Sequence, residues 1–288
     1  MKLSAFDFDL PPELIAQTPA QQREGARLLL ADRQTKSLEH RQFTDITDIF
    51  ATGDILVFNR SKVIPARLRL EGKREIFLSE PVAANVWDCL VRPGKKFPIG
   101  EQIAFADGST ATVQAISEDG LRTIAFEPQD GDFWRFLEAH GDVPLPPYID
   151  RQADTTDKDR YQTVYAQTPG SVAAPTAGLH FSDEILERLR EKGVQLEFVT
   201  LHVGLGTFLP VKSEDVREHT MHAEVYELDP ATAARINAAR ERGAKVTAIG
   251  STSLRVLETV ADANGMLQPG SGKTDIFFYP PAQFKIVD

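Results

Sequence analysis

The hydrophobic positions change rhythm along the chain. RLLLADR, near the start, reads as an apolar strand, and DILVFN at 54–59 reads as a buried one. From about 66 to 127, short apolar runs alternate with Gly, Pro, Asp and Asn: REIFLS, NVWDCLV, EQIAFADGSTATVQAI and LRTIAFE. ADGST has hairpin chemistry between two alternating strands. Closely spaced short strands of this kind predict a small barrel or sandwich. DFWRFLEAHG at 132–141 predicts a short helix ended by Gly141, and the proline-rich VPLPPYIDR marks a joint.

The second half alternates helix and strand. SDEILERLREKG offers Ser182 as N-cap, acids in the first turn and Gly193 as the stop. VQLEFVTLHV at 194–203 is the next strand, and DPATAARINAARERG is a helix with Asp229 as N-cap and Pro230 in its first position. AKVTAIG, STSLRVLETVADANG and TDIFFY then predict a strand, a helix and a last strand. The pattern describes a mixed α/β domain, residues 1–65 and 149–288, carrying an inserted small antiparallel β-barrel domain at 66–148.

Composition narrows the classes. In 288 residues with 42% hydrophobic content there is material for two domains, and no apolar run nears the roughly 18 residues of a membrane span. The acidic, proline-bearing start MKLSAFDFDLPPELIAQ is unlike a signal peptide. Cys89 is the lone cysteine, so internal disulfides and thiolate zinc sites are excluded, and the cytoplasm is the expected compartment. Without heptads or a long apolar stripe, a monomer is expected.

A net charge of −10 argues against broad nucleic-acid coating. The basic residues are clustered, however. Arg60, Lys62, Arg67, Arg69, Lys73 and Arg74 face the single acid Glu71 within residues 60–74, and Arg92, Lys95 and Lys96 follow in RPGKK. Such runs are commonly solvated faces. On an acidic body they also suit one specific RNA.

Candidate chemistry gathers in the second half. Gly250-Ser251-Thr252-Ser253 joins a strand to a helix, where free N–H groups favour an anion, and Arg255 adds a fixed charge. Simple capping explains such a loop equally well. His219, His222 and Glu224 in HTMHAEVYEL have metal-ligand chemistry, against the plainer reading of hydrogen-bonded loop residues. His180 in TAGLHF and His202 in TLHVGLG make four histidines in 43 residues and point to one pocket for proton transfer. VGLGTF lacks a full dinucleotide fingerprint, and GxSxG is absent.

Taken in order, DFDLPPELIAQ, GDILVFNRSKVIPARL, LVRPGKK, GDVPLPPYIDR, RYQTVYAQTPGSVAAPTAGLHF, TLHVGLGTFLPV, HTMHAEVYEL, IGSTSLRVLE and TDIFFYPPAQFKIVD resemble one family across the chain. They are similar to the signature blocks of the S-adenosylmethionine:tRNA ribosyltransferase-isomerases. The resemblance implies an α/β domain with an inserted β-barrel, and it implies no metal and no cofactor beyond the donor substrate. It implies transfer and isomerisation of the ribosyl moiety of S-adenosylmethionine onto 7-aminomethyl-7-deazaguanine at the tRNA wobble position. It further implies that epoxyqueuosine-tRNA forms and that adenine and methionine leave. Three departures stand out: the family usually continues past FKIVD through a segment around NFHLP, the strands near EGKREIFL are short, and Ser251 replaces a usual threonine.

The chemistry of the substrate asks for a base, an acid, a carboxylate seat and surroundings suited to a sulfonium. His202, His222 and His180, with Glu224 as an alternative carboxylate, are the acid–base candidates. Ser251, Thr252, Ser253 and Arg255 are the candidate anion seat, and Tyr161, Tyr165 and Asp275 are candidates for the ribose or sulfonium. Arg60, Lys62, Arg67, Arg69, Arg92, Lys95 and Lys96 are the candidate tRNA contacts. The rival readings are a metal-dependent hydrolase built on His219, His222 and Glu224, and a non-catalytic RNA-binding protein.

Overall fold

The computed structural model describes residues 1–208, 211 and 213–288; part of the TLHVGLGTFLPV block therefore lies outside the described residues. The chain opens with a hairpin, β1 (Arg27–Asp32) and β2 (Ser37–Gln42), then α1 (Ile46–Ile49), β3 (Ile55–Asn59) and β4 (Ser61–Val63). An antiparallel set follows: β5 (Arg67–Leu70), β6 (Arg74–Ala83), β7 (Val86–Arg92), β8 (Gln102–Ala104), β9 (Thr110–Ile116) and β10 (Arg122–Glu127). Helix α2 (Phe133–His140) and β11 (Gly141–Asp142) complete it. The remainder is α3 (Asp157–Arg160), β12 (Thr168–Ser171), α4 (Asp183–Glu191), β13 (Gln195–Leu201), β14 (Glu224–Leu228), α5 (Pro230–Glu241), β15 (Val246–Ala248), α6 (Gly250–Val260) and β16 (Gly270–Thr274).

Two sheets carry the architecture. The order β15-β3-β13-β14-β16 makes a five-stranded sheet whose first three strands are parallel and whose last two run antiparallel. β3 is buried at all five positions because it is central and covered on both faces. Ile55 and Val57 join Ile236 of α5 and Val256 and Leu257 of α6 in one core. Leu56 and Phe58 join Phe181 and Ile185 and Leu189 of α4 in the other.

The inserted sheet runs β11-β5-β6-β7-β10-β9-β8, antiparallel throughout. It curls over Leu68, Ile76, Leu78, Cys89, Val91, Val113 and Ile124, and α2 closes the core with Phe133, Phe136 and Leu137. The terminal strands β8 and β11 do not pair, so the expected barrel is an open half-barrel. Asp132 caps α2 through the N–H groups of Trp134 and Arg135. Gly141 ends it where a Cβ would collide with the carbonyls of Pro65 and Leu137.

One predicted element moves. The last strand is Gly270–Thr274, paired with β14, and not TDIFFY. Beyond Thr274, side-chain packing replaces the ladder: Phe277 meets His219 and Tyr279, and Phe278 meets Phe284. An aromatic run reads as strand from composition, but its partners here are other rings.

Candidate active site

A cleft of about 1230 Å³ lies between the half-barrel and the residues following β13. In open α/β sheets the carboxyl ends of parallel strands are where ligands bind, because the chain diverges there and leaves a crevice. One wall is the half-barrel face, with Arg67, Glu75, Phe77, Leu90 and Arg92. The facing wall carries His202, Gly204, Gly206, His219, His222 and Glu224.

His202 follows β13 directly, and its backbone is fixed from both sides. Asn59, at the end of β3, accepts from the Leu201 N–H at 3.0 Å and donates to the Leu201 carbonyl at 3.0 Å. Ser171 Oγ accepts from the Val203 N–H at 2.9 Å and lies 2.9 Å from Ser61 Oγ. Asn59, Ser61 and Ser171 are fully buried, so these bonds are costly to break. The His202 N–H donates to the Val225 carbonyl. Its ring lies against Gly170, at φ +141°, where a Cβ would stand 2.8 Å from Nδ1 and Cε1.

That packing leaves His202 Nδ1 buried without a partner. Burial pushes the imidazole pKa down, with Glu227 opposing more weakly. The physical cause is desolvation of the imidazolium. The ring therefore stays neutral, and able to accept a proton, until the pH falls below the ordinary value of ~6.5.

Glu224 opens β14 and is held by the Gly204 N–H at 3.0 Å and by Arg255 Nη1. Arg255 Nη2 also donates to the Thr274 carbonyl at 3.0 Å, while its Nε has no partner. Burial pushes the Glu224 carboxyl up, and the Arg255 guanidinium pulls it back. The pair braces the wall of the cleft that Glu224 lines. His222 lies close above the turn, since a Cβ on Gly206 would meet its ring at 2.7 Å.

With this geometry in view, comparison with known proteins is decisive. The sequence model described as queuosine biosynthesis protein matches residues 3–288. The chain belongs to the queuosine biosynthesis protein family. It is 48% identical over 294 aligned positions to the S-adenosylmethionine:tRNA ribosyltransferase-isomerase of Moorella thermoacetica, covering 100% of this chain and 85% of that relative. The protein of the same name from Acetivibrio thermocellus gives the same identity and coverage. The crystal structure of S-adenosylmethionine tRNA ribosyltransferase from Thermotoga maritima matches with 36% identity and a TM-score of 0.50, covering 98% of this chain and 82% of that one.

Within this family member, the candidate residues separate into groups. His202, His222 and Glu224 share the cleft with His219. His180 does not join them: it is exposed and its ring packs on Phe43, 5.3 Å away. The expected single pocket of four histidines thus holds three. Sequence clustering misplaces His180 because TAGLH forms a 3-10 turn packed on the α4 side of the sheet.

Arg255 and the Ser251–Ser253 turn do not form the joint anion seat expected from sequence. Arg255 is consumed by Glu224 and Thr274, Ser253 Oγ donates back to the Ile249 carbonyl, and Ser251 is exposed. Thr252 Oγ1 is buried without a partner. Tyr161 packs with Val63, Val143 and Ala174, and Tyr165 lies against Phe58 and Phe198. Burial pushes both phenols up. Neither tyrosine, nor exposed Asp275, is among the cleft-lining residues.

Among the basic candidates, Arg67 and Arg92 line the cleft. Arg60 lies 3.9 Å from Asp229, and Arg69 lies 3.2 Å from Asp142. Lys62 and Lys95 are exposed, and exposed Lys96 donates to the Gly72 carbonyl at 3.1 Å. His219, His222 and Glu224 do not converge as ligands: among the described residues no group of three or more His, Cys, Asp or Glu is placed to hold a metal ion. His219 instead meets Phe277 edge-on, and the hydrolase alternative finds no support. The buried Asn59–Ser61–Ser171 network escaped sequence reading. Its one visible signal is an asparagine ending an apolar strand.

Proposed function

We propose that this protein transfers and isomerises the ribosyl moiety of S-adenosylmethionine onto 7-aminomethyl-7-deazaguanine at the tRNA wobble position, giving epoxyqueuosine-tRNA, adenine and methionine. The observation that carries the reading is 48% identity, over the whole chain, to two proteins named S-adenosylmethionine:tRNA ribosyltransferase-isomerase. Among the described residues no helix is long and apolar enough to cross a membrane. The cytoplasm, where tRNA is modified, is the proposed compartment, and a monomer the proposed state. The units 1–65 with 149–288, and 66–148, are the proposed domains.

The chemistry follows from the donor. A sulfonium acidifies the adjacent ribose C5′ hydrogens, so a neutral base can remove one and leave an ylide-like carbanion. His202 is the proposed base, because it is kept neutral by burial and locked by Asn59, Ser171 and Gly170. Adenine departs on protonation, with exposed His222 as the proposed acid. The tRNA amine then attacks the ribose-derived carbon and loses a proton. A ribose oxygen closes the epoxide by displacing the sulfonium, so that the C5′–S bond breaks with its electron pair on sulfur and methionine leaves. Glu224, paired with Arg255 and bonded to the Gly204 N–H, acts as a support of the site. Lys62, Arg92, Lys95 and Lys96 are the proposed contacts to tRNA phosphates, with Arg60 and Arg69 restrained by acids. Incubation with S-adenosylmethionine and precursor tRNA, followed for adenine release, tests the assignment.

A further inference from the structure

The geometry points to Arg67 and Glu75 as the seat of the α-amino-acid end of S-adenosylmethionine, an inference that rests on the ribosyl-transfer reading above. The methionine end is a zwitterion, and its recognition requires a fixed cation and a fixed anion side by side with unspent hydrogen-bonding capacity. Both residues line the cleft, on adjacent strands β5 and β6. Arg67 Nε and Glu75 Oε1 are 3.8 Å apart, beyond hydrogen-bond reach. The two charges attract at that distance but are not hydrogen-bonded to each other, so each keeps hydrogen-bonding capacity for a ligand. Among the described residues Arg67 Nε is buried and has no hydrogen-bond partner, as is true of Nε in Arg74, Arg160 and Arg255, but Arg67 alone of these four lines the cleft.

Arg67 is also held in place by its surroundings. The Arg67 guanidinium sits over the Phe77 ring, 5.3 Å from its centroid. Phe77 meets Phe208 edge-on at 6.1 Å. Phe208 ends the turn Leu205–Phe208, and Gly206 of that turn lies against His222. Arg67 is thus linked through two rings and one turn to the wall that carries the acid–base candidates. The other buried or paired arginines are already engaged: Arg151 makes bonds of 2.6 and 2.8 Å to Asp157, and Arg255 holds Glu224. A carboxylate on Arg67 and an ammonium on Glu75 would replace the loose contact with two charge-assisted hydrogen bonds.

The test compares S-adenosylmethionine with its decarboxylated and deaminated analogues on wild-type protein, Arg67→Gln and Glu75→Gln, reading KM and kcat separately for donor and tRNA. Arg67→Gln should raise the donor KM by about 10- to 100-fold, the loss expected for a charged hydrogen bond, and leave the tRNA KM nearly unchanged. Wild-type protein should discriminate against the decarboxylated donor by a similar factor, and Arg67→Gln should not. Glu75→Gln should lose discrimination against the deaminated donor alone. If wild-type protein accepts the decarboxylated donor as readily as S-adenosylmethionine, or if Arg67→Gln keeps the discrimination, the proposal is overturned. A raised tRNA KM with a flattened salt dependence would show Arg67 to bind phosphate instead and would equally overturn it. If Arg67→Gln does not fold, the wild-type analogue comparison and Glu75→Gln still decide. Wild-type protein that releases no adenine from any donor defeats the ribosyl-transfer reading itself, and this inference with it.

Discussion

Replacing Glu224 by Ala removes the only carboxylate bonded to Arg255 among the described residues. Both residues are only 7% exposed, so bulk water replaces the lost contacts poorly. Arg255 Nη1 would join Nε as a buried donor without an acceptor, and the Gly204 N–H would be orphaned. Nη2 would keep only the Thr274 carbonyl and the long contact to the His222 carbonyl. Breaking a buried pair from one side costs about 3–5 kcal/mol, most of it from the stranded charge. Denaturant unfolding should show that loss as a lowered midpoint at unchanged slope. Removing both charges, as Glu224→Ala with Arg255→Met, should restore most of it, giving a coupling energy of at least ~2 kcal/mol. A single variant within about 1 kcal/mol of wild type, or a double variant as unstable as the sum of the singles, would refute the buried-pair account.

The remaining predictions concern turnover and RNA. His202→Ala should cut kcat by about 100- to 10,000-fold with little change in either KM, because a base acts in the transition state; turnover within about threefold would remove His202 from that role. In wild-type protein the acidic limb of the rate profile should fall below the ordinary histidine value of ~6.5, since burial lowers the folded-state pKa and keeps the base free to that point. Reversing charge at Lys62 and Lys95, both exposed, should weaken tRNA binding and flatten its salt dependence while leaving the donor KM alone; an unaltered salt slope would mark the two as merely solvated.

Much of the fold was legible because local signals and tertiary needs agreed. DILVFN reads as buried and is buried on both faces, since Ile55 and Val57 face one core and Leu56 and Phe58 the other. Ser182, Asp229 and Gly193 cap and stop their helices as their side chains require. The short strands from 66 onwards form one curled sheet, but closure was not legible, because it depends on whether the terminal strands β8 and β11 meet. Site assembly was less legible still. Sequence proximity brought His202, His219 and His222 together, yet placed His180 with them although its turn faces α4. Arg255 looked like a free charge because its partner, Glu224, lies 31 residues away on another element. Arg67 was hidden inside a basic run whose bulk charge suggested RNA alone, and Glu75 lies just past its end.

The most direct measurement of the central claim is adenine release from S-adenosylmethionine in the presence of tRNA carrying 7-aminomethyl-7-deazaguanine, with mass analysis of the tRNA. The account predicts adenine and methionine formed in equal amounts, together with one epoxyqueuosine per tRNA modified, and neither product when the tRNA carries unmodified guanine at the wobble position. Tight tRNA binding without adenine release, or adenine release that does not depend on the aminomethyl base, would contradict it.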